Sequence, residues 1–279
     1  VRRELRNHFQ LIRSCFIFFA ALSPNHCSHE LMAMRMQDYC EFARCCNLLG
    51  PRSPLCEPTY MEAIFKASKG PAGLSGVKQQ QGASQESAAT HPHLLNRSEF
   101  LECIVRLAIV KHMQATHDAN GQPNVANAVE RLLEEDIEPN LSPSAKVDAN
   151  AFREERLYSE EMEVCIRSHW TLLTMSFKVY SAGSGTLGIE GWLALLAAGA
   201  LLGRANHTGI DKHAAKVVFM LSQASAVDKA GSPQSRDGGL KFFDFVEVSA
   251  YRDAVAPVSL YNFCAVVPVS LCNFVRSFL

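Results

Sequence analysis

The sequence predicts an all-α protein made of two tandem copies of one helix-loop-helix pair, at residues 1–113 and 158–253, joined by a helical bridge at 114–157. Apolar residues recur at helical spacing, and the same short motifs return in the same order. Residues 34–39 (MRMQDY) precede Leu48, and residues 187–192 (LGIEGW) precede Leu201. The interval from the aromatic residue to the leucine is the same in both copies.

The other elements of the two copies follow in parallel. The apolar stretch 9–20 has its counterpart at 170–180, and a helical segment around Phe65 matches one around Phe219. Residues 95–100 (LNRSEF) then match residues 240–245 (LKFFDF). Self-similarity in a fixed order favours a repeated architecture over a single irregular bundle.

Two polar insertions and one connecting segment complete the organisation. Residues 70–92 are rich in Gly, Ser, Gln and Ala, which predicts a flexible insertion, and 225–239 is its shorter counterpart. Residues 123–137 (PNVANAVERLLEEDI) have apolar residues at helical spacing, and Pro139 and Pro143 are expected to end that helix. We therefore expect a packed bridge.

The start of the chain resembles a signal peptide, since a basic beginning precedes an apolar run. Arg13 interrupts that run, and the chain begins with Val1. The match between 9–20 and 170–180 favours a core helix of a truncated chain, with a signal or anchor as the alternative.

Residues 254–279 form a predicted hydrophobic tail, in which Arg276 is the only Lys, Arg, Asp or Glu. The segment repeats itself, as 257–263 (PVSLYNF) and 268–274 (PVSLCNF). Its prolines argue against a smooth spanning helix, so we do not expect membrane contact through it. A membrane anchor and a short tandem duplication are the alternatives.

Composition argues against several classes of partner and chemistry. Lys and Arg number 27 against 28 Asp and Glu, for a formal net charge of −1, so no basic surface for nucleic acid is expected. The ten cysteines are scattered on apolar helices, as reduced cytosolic thiols are. A zinc site lacks the usual ligand spacing, although five residues lie within thirty of one another: Cys27, His29, Cys40, Cys45 and Cys56.

Four segments share one further pattern, in which an aliphatic residue is followed four positions later by an acid or glycine and then by an aromatic residue. The aliphatic residues are Met34, Leu95, Leu187 and Leu240, and the aromatic residues are Tyr39, Phe100, Trp192 and Phe245. With residues 45–50 (CCNLLG) and 95–108 (LNRSEFLECIVRLA), this pattern resembles the calmodulin-type EF-hand superfamily. It is similar to the degenerate, paired EF-hand-like proteins of protist cilia and flagella.

The resemblance implies a fold, a loop geometry and a class of partner. Calcium loops of this superfamily place oxygen ligands at positions 1, 3, 5, 7 and 12 and glycine at position 6. An aliphatic residue at position 8 pairs the two loops. Relatives of this kind dock on axonemal or microtubule structures, which implies a cytoplasmic protein of a cilium or of the cytoskeleton.

Counted in this way, the loops have lost most of their calcium ligands. With Leu187 at position 8, Gly185 falls at position 6, but Tyr180, Ala182 and Gly191 fall at positions 1, 3 and 12. In the first copy Asp38 and Glu99 fall at position 12, and the residues that stand where acids belong are Cys27, His29, Leu31, Ala88, Thr90 and Pro92. These three loops have too few carboxylates to repay the dehydration of calcium.

The loop at 233–244 keeps the most oxygen-bearing side chains at its ligand positions. With Leu240 at position 8, Ser235, Asp237 and Asp244 fall at positions 3, 5 and 12, while Pro233 replaces the acid at position 1. These three side chains are the weak calcium candidates of the chain, and calcium is its one possible cofactor.

We therefore expect a non-enzymatic structural or interaction protein that binds a partner helix or a cytoskeletal surface. Its aromatic residues would form the core, with Met34, Met36 and Met220 near an apolar groove. A calcium sensor using residues 233–244 is the alternative function, and an unrelated helical bundle is the alternative fold. An enzyme has the least support, because residues 183–185 (GSG) lack the Lys and Ser or Thr of a phosphate loop.

Overall fold

The computed structural model describes residues 1–23, 32–49, 58–69, 94–116, 121–199, 201–203, 210–229 and 239–255. These residues are mostly helical, which confirms the predicted all-α class. They belong to two compact units, the first with Val1–Ser23 and Met32–Lys146 and the second beginning at Val147. The predicted bridge at 114–157 is thus divided between the units after Lys146.

Some sequence predictions fall outside the described residues. They are the insertion at 70–92, the tail beyond Val255, the calcium candidates Ser235 and Asp237, and three of the five residues considered for a zinc site, Cys27, His29 and Cys56.

The first unit has two opening helices, two loops joined by a short strand pair, and a closing bridge segment. In chain order these are α1 (Arg2–Asn7), α2 (Phe9–Ala20), β1 (Met34–Arg35), α3 (Met36–Cys45), α4 (Pro58–Ser68), β2 (Leu94–Leu95), α5 (Arg97–His112), α6 (Val125–Arg131) and α7 (Glu138–Asn140). A 3₁₀ turn, Pro143–Ala145, follows α7.

The second unit repeats this order after its own part of the bridge. Its helices are α8 (Ala149–Phe152), α9 (Glu160–Ser168), α10 (Trp170–Tyr180), α11 (Ile189–Ala198), α12 (Lys212–Lys229) and α13 (Phe242–Val255). Among the described residues, no helix is long and apolar enough to cross a membrane.

Two local details recur in both units. A histidine separates α1 from α2 and α9 from α10, His8 with φ −100° and ψ 17° and His169 with φ −108° and ψ 12°. After α3, Leu48 donates its backbone N–H to the Ala43 carbonyl at 2.9 Å, and after α11, Leu201 donates to the Leu196 carbonyl at 2.8 Å. This six-residue closure ends both helices in the same way.

An aromatic cluster forms the core of the first unit. Phe42 lies 5.3 Å from Phe100 and 5.5 Å from Phe19, both edge-on, and Tyr39 lies 5.7 Å from Phe65 between ring centroids. Edge-on aromatic pairs stabilise a core by about 0.5–1.5 kcal/mol beyond the area that they bury.

The core of the second unit is built around Trp192, which is fully buried. Its indole Nε1–H donates to the Ala215 carbonyl on α12 at 3.1 Å, so the polar atom of the ring has a partner. Phe245 lies 5.6 Å from Phe177 and 6.5 Å from Trp192. Met34 and Met220, expected near an open groove, are fully buried core residues instead, because the helices pack closely over them.

The predicted bridge helix begins as expected and ends later. Asn124 caps it, accepting from the backbone N–H of Ala126 at 3.0 Å. The helix continues beyond Pro139 to Asn140, through a π-helical stretch, Leu132–Ile137. A π-helical stretch already lacks the regular α-helical hydrogen bonds that a proline removes, so Pro139 is tolerated after it. The predicted end of the helix at Pro139 is therefore wrong.

Ion pairs attach the two halves of the bridge to their own units. In the first unit, Asp136 accepts from Lys111 Nζ at 2.7 Å and lies 2.6 Å from His112 Nε2. In the second, Arg153 donates to Glu247 on α13 at 2.9 and 2.5 Å, and to the Leu221 carbonyl on α12 at 3.3 Å. Both side chains of the Arg153 pair are about nine-tenths buried.

We expect Arg153→Met to lower the free energy of unfolding of the second unit by about 3–5 kcal/mol, because it removes the guanidinium that pairs with the buried Glu247 carboxylate. Trp170 and Trp192, the two tryptophans of the chain, both lie in this unit, so urea unfolding followed by tryptophan fluorescence measures it.

Two control variants define this prediction. The double variant Arg153→Met/Glu247→Met should recover most of the loss, and Arg167→Met, which removes an exposed pair with Glu163, should change stability little. A double variant as unstable as Arg153→Met would show that the loss of stability does not come from the Arg153–Glu247 ion pair.

Candidate functional site

The paired loops of each unit are the candidate functional site. In the first unit Met34 pairs with Leu95 in an antiparallel two-residue ladder. In the second, Leu187 and Leu240 exchange two backbone N–H···O bonds, each of 2.8 Å. All four side chains are 0% exposed. They are the four residues that the sequence analysis places at position 8.

The acids at position 12 cap the helices that leave the loops. Asp38 accepts from the Arg35 backbone N–H at 3.2 Å, Glu99 from Asn96 at 2.8 Å and Asp244 from Lys241 at 3.0 Å. Asn96 returns a bond, since its side chain accepts from the Glu99 N–H at 3.0 Å. Each carboxylate thus satisfies a helix N-terminus, and a calcium ion would have to compete with that bond.

Of the three weak calcium candidates, Asp244 alone lies among the described residues. Burial raises the pKa of its carboxyl above the usual aspartate value, and the Lys241 backbone N–H only partly opposes that shift. An environment that disfavours the charged form of this side chain also makes it a poorer ligand for a cation.

The loop at 180–191 is closed by its own hydrogen bonds. The Ser184 hydroxyl, at position 5, lies 2.7 Å from the carbonyls of both Ser181 and Thr186, and its single proton serves one of them at a time. The Thr186 N–H donates to the same hydroxyl oxygen at 3.3 Å. Position 7 supplies a backbone carbonyl to calcium in a working loop. Here a hydroxyl reaches that carbonyl instead.

Glycines allow the close approach on which this loop depends. A Cβ at Gly191, position 12, would lie 2.5 Å from the Tyr180 carbonyl oxygen and 2.7 Å from Leu187 Cδ1. Gly185 has φ +78°, as expected for the sharp turn at position 6. A Cβ at Gly239 would lie 2.8 Å from Thr186 Cβ, so the two loops of the second unit pack backbone against side chain.

Sequence reasoning missed the roles of Ser184, Gly191 and Gly239. From the sequence alone, Gly191 is only a missing calcium ligand at position 12. Its closeness to Leu187, which pairs with the other loop, is the signal that could have predicted close packing there. No local sequence pattern predicts the hydrogen bonds of the Ser184 hydroxyl, because its partners are backbone carbonyls.

The described cysteines of the first unit are suited to packing rather than to nucleophilic chemistry. Burial raises the pKa of the Cys46 thiol to about 12 and that of Cys103 to about 11. Burial also raises the pKa values of Cys40 and Cys45, the two described members of the weighed zinc set. Protonated thiols are weak nucleophiles and weak metal ligands. Within the described ranges no cluster of three or more His, Cys, Asp or Glu side chains could hold a metal ion.

The first unit also has an open, largely apolar surface pocket. It is lined by Val1, Arg2, Leu5, Arg6, Phe9 and Leu101, and because two of these are arginines we call it the basic pocket. The Arg97 guanidinium lies 5.9 Å from the centre of the Phe9 ring. A pocket that combines apolar side chains with arginines is suited to a partner segment that has both apolar and acidic residues.

The chain matches no protein-family model, no curated protein and no solved structure at a significant level. What can be inferred about its function therefore comes from its own geometry.

We expect Gly191→Ala to destabilise the second unit by at least about 2 kcal/mol, because the new methyl group meets a backbone oxygen that cannot move aside. Gly185→Ala is the matched control, since its Cβ meets nothing within 4 Å and the cost is the left-handed backbone alone, about 1 kcal/mol. Urea unfolding followed by tryptophan fluorescence compares the two. Equal losses would show that the loop is not packed at Gly191.

Proposed function

We propose that the chain is a non-enzymatic structural or interaction protein built from two EF-hand-like pairs that keep their shape without calcium. The observation that carries this proposal is the internal use of the loop ligands. Three position-12 acids cap helices, and a serine hydroxyl bonds the position-7 carbonyl of a fourth loop.

Three features support the EF-hand-like assignment. The residues at position 8 pair across the two loops of each unit, as the superfamily pattern requires. The four aromatic residues that follow position 12 are all fully buried, namely Tyr39, Phe100, Trp192 and Phe245. In both units the helices that leave the loops begin directly after the paired residues.

A calcium-independent role follows from the energetics of the loops. A calcium site needs several carboxylates to repay the dehydration of the ion. In the loop at 180–191 the groups at positions 5 and 7 are hydrogen-bonded to each other, and position 12 is a glycine. A loop with so few groups left for an ion suits a rigid scaffold better than a calcium switch.

The partner that fits this proposal is a protein segment with apolar and acidic residues, bound at the basic pocket of the first unit. Leu5, Phe9 and Leu101 would bury its apolar side chains, and Arg2 and Arg6 would pair with its acids. The resemblance to ciliary proteins directs the search to axonemal and other cytoskeletal partners in the cytoplasm.

Calorimetry tests the calcium-independent role. Titration of calcium into the full chain should give no saturable heat up to about 1 mM, a range that includes sensor and weaker extracellular sites. The variant Asp237→Asn/Asp244→Asn is the control and should behave identically. Saturable heat in the unmodified chain that is lost in this variant would establish the alternative, a sensor that uses Ser235, Asp237 and Asp244.

Co-sedimentation with stabilised microtubules tests the partner. We expect binding of equal strength with calcium and with a calcium chelator, and at least about tenfold weaker binding for Arg2→Glu/Arg6→Glu, because reversed charges repel an acidic surface. Lys146→Glu/Arg167→Glu makes the same change in net charge at exposed sites elsewhere and should bind nearly as the unmodified chain does. Equal weakening by both variants would indicate attraction by net charge alone.

A further inference from the structure

The helices α1 and α9 hold corresponding places in the two units but differ in charge. A single histidine, His8 or His169, separates each from the helix that follows it. α1 carries three arginines and one glutamate, whereas α9 carries three glutamates and one arginine. The chain therefore presents one basic and one acidic helix, and opposite charges of this kind favour contact between two surfaces.

On α1, two arginines lie beside an apolar side chain. Arg2, Leu5 and Arg6 share one side of the helix, since residues three and four apart are neighbours on a helix surface, and all three line the basic pocket. Arg2 and Arg6 are exposed, and neither forms an ion pair with another described residue. The basic pocket thus has two arginines available to carboxylates from outside.

On α9, two glutamates lie beside an exposed valine. Val164 is 62% exposed, and Glu160 and Glu161 lie four and three positions before it, on the same side of the helix. Both glutamates are exposed and form no ion pair within the part of the chain that the structure describes, whereas Glu163 pairs with Arg167. We call Glu160, Glu161 and Val164 the α9 face.

The start of α9 is fixed before any partner binds. The Ser159 hydroxyl accepts from the Met162 backbone N–H at 3.3 Å, and acids in the first turn of a helix are stabilised by its dipole. No residue of α9 is buried, which leaves the α9 face open. A helix that is already formed loses less conformational entropy on association than a flexible segment does.

We infer that the α9 face of one copy of the chain binds in the basic pocket of a second copy. Val164 is then buried against the apolar lining of the pocket, which removes both from water. The two glutamates of the α9 face pair with the two arginines of the pocket. The inference rests on the basic pocket of the proposed function and adds its regulation, because self-association occupies the pocket and competes with an outside partner.

Sedimentation velocity of charge-swap variants of the full chain tests the inference. Arg2→Glu/Arg6→Glu and Glu160→Arg/Glu161→Arg should each self-associate at least about tenfold more weakly than the unmodified chain, because like charges then face each other. A 1:1 mixture of the two variants restores opposite charges at every contact and should recover the association.

The double variant Glu138→Arg/Glu190→Arg is the matched control. It makes the same change in net charge at two other exposed acids in the first turns of helices, and it should associate as the unmodified chain does. Three results would each overturn the inference: an unmodified chain that stays monomeric, equal weakening by the control, or a mixture of folded variants that does not recover.

Photocross-linking gives a second measurement that needs no charge variant. A benzophenone amino acid replaces Val164, and a 1:1 mixture of light and ¹⁵N-labelled chain is irradiated, digested and analysed by mass spectrometry. We expect cross-links that join light to heavy peptides at α1 or the start of α2, and none to that segment from a benzophenone at the exposed Tyr60. Cross-links within one chain, or to other segments, would contradict the inference.

Neither measurement contains calcium or microtubules. A chain that self-associates as expected but binds no microtubules would leave the inference in place and remove the proposed cytoskeletal partner. A chain that binds microtubules through Arg2 and Arg6 but stays monomeric would do the reverse.

Discussion

The pairing of two loops through their backbones is the constraint on which each unit depends. A ladder or bridge one or two residues long contributes little as a sheet. Its importance lies in what it positions, since Met34, Leu95, Leu187 and Leu240 each lie just before a helix that carries a buried aromatic residue. Fixing two such helix starts side by side brings those aromatic residues into one core.

The acids at the starts of three of these helices have a role that needs no ion. A helix N-terminus has backbone N–H groups without partners and a partial positive charge, and a carboxylate in the first turn satisfies both. Asp38, Glu99 and Asp244 make that contact without an ion. Where Gly191 replaces the acid, the Tyr180 carbonyl moves close to the helix start, and the loop closes on itself.

The sequence was sufficient to predict the helical class and the residues that pair the loops, because these depend on local spacing. Leu187 and Leu240 could be chosen from intervals to glycine and aromatic residues alone. The ion pair of Arg153 with Glu247 could not be predicted, since 94 positions separate the two residues and neither lies in a recognisable motif. The burial of Met34 and Met220 depends on how closely helices pack, which spacing does not determine.

A closed loop also bears on how the protein could respond to a signal. A ligand shifts a conformational equilibrium only by as much as its affinity differs between the two states. In the loop at 180–191 the Ser184 hydroxyl lies 2.7 Å from the position-7 carbonyl, and glycine stands at position 12, so these two positions give an ion little to bind. The loop pairing and the buried cores hold each unit in shape without such a contact. Under the proposed function, a unit of this kind provides a fixed surface, whose occupant is determined by apolar contact and charge rather than by calcium.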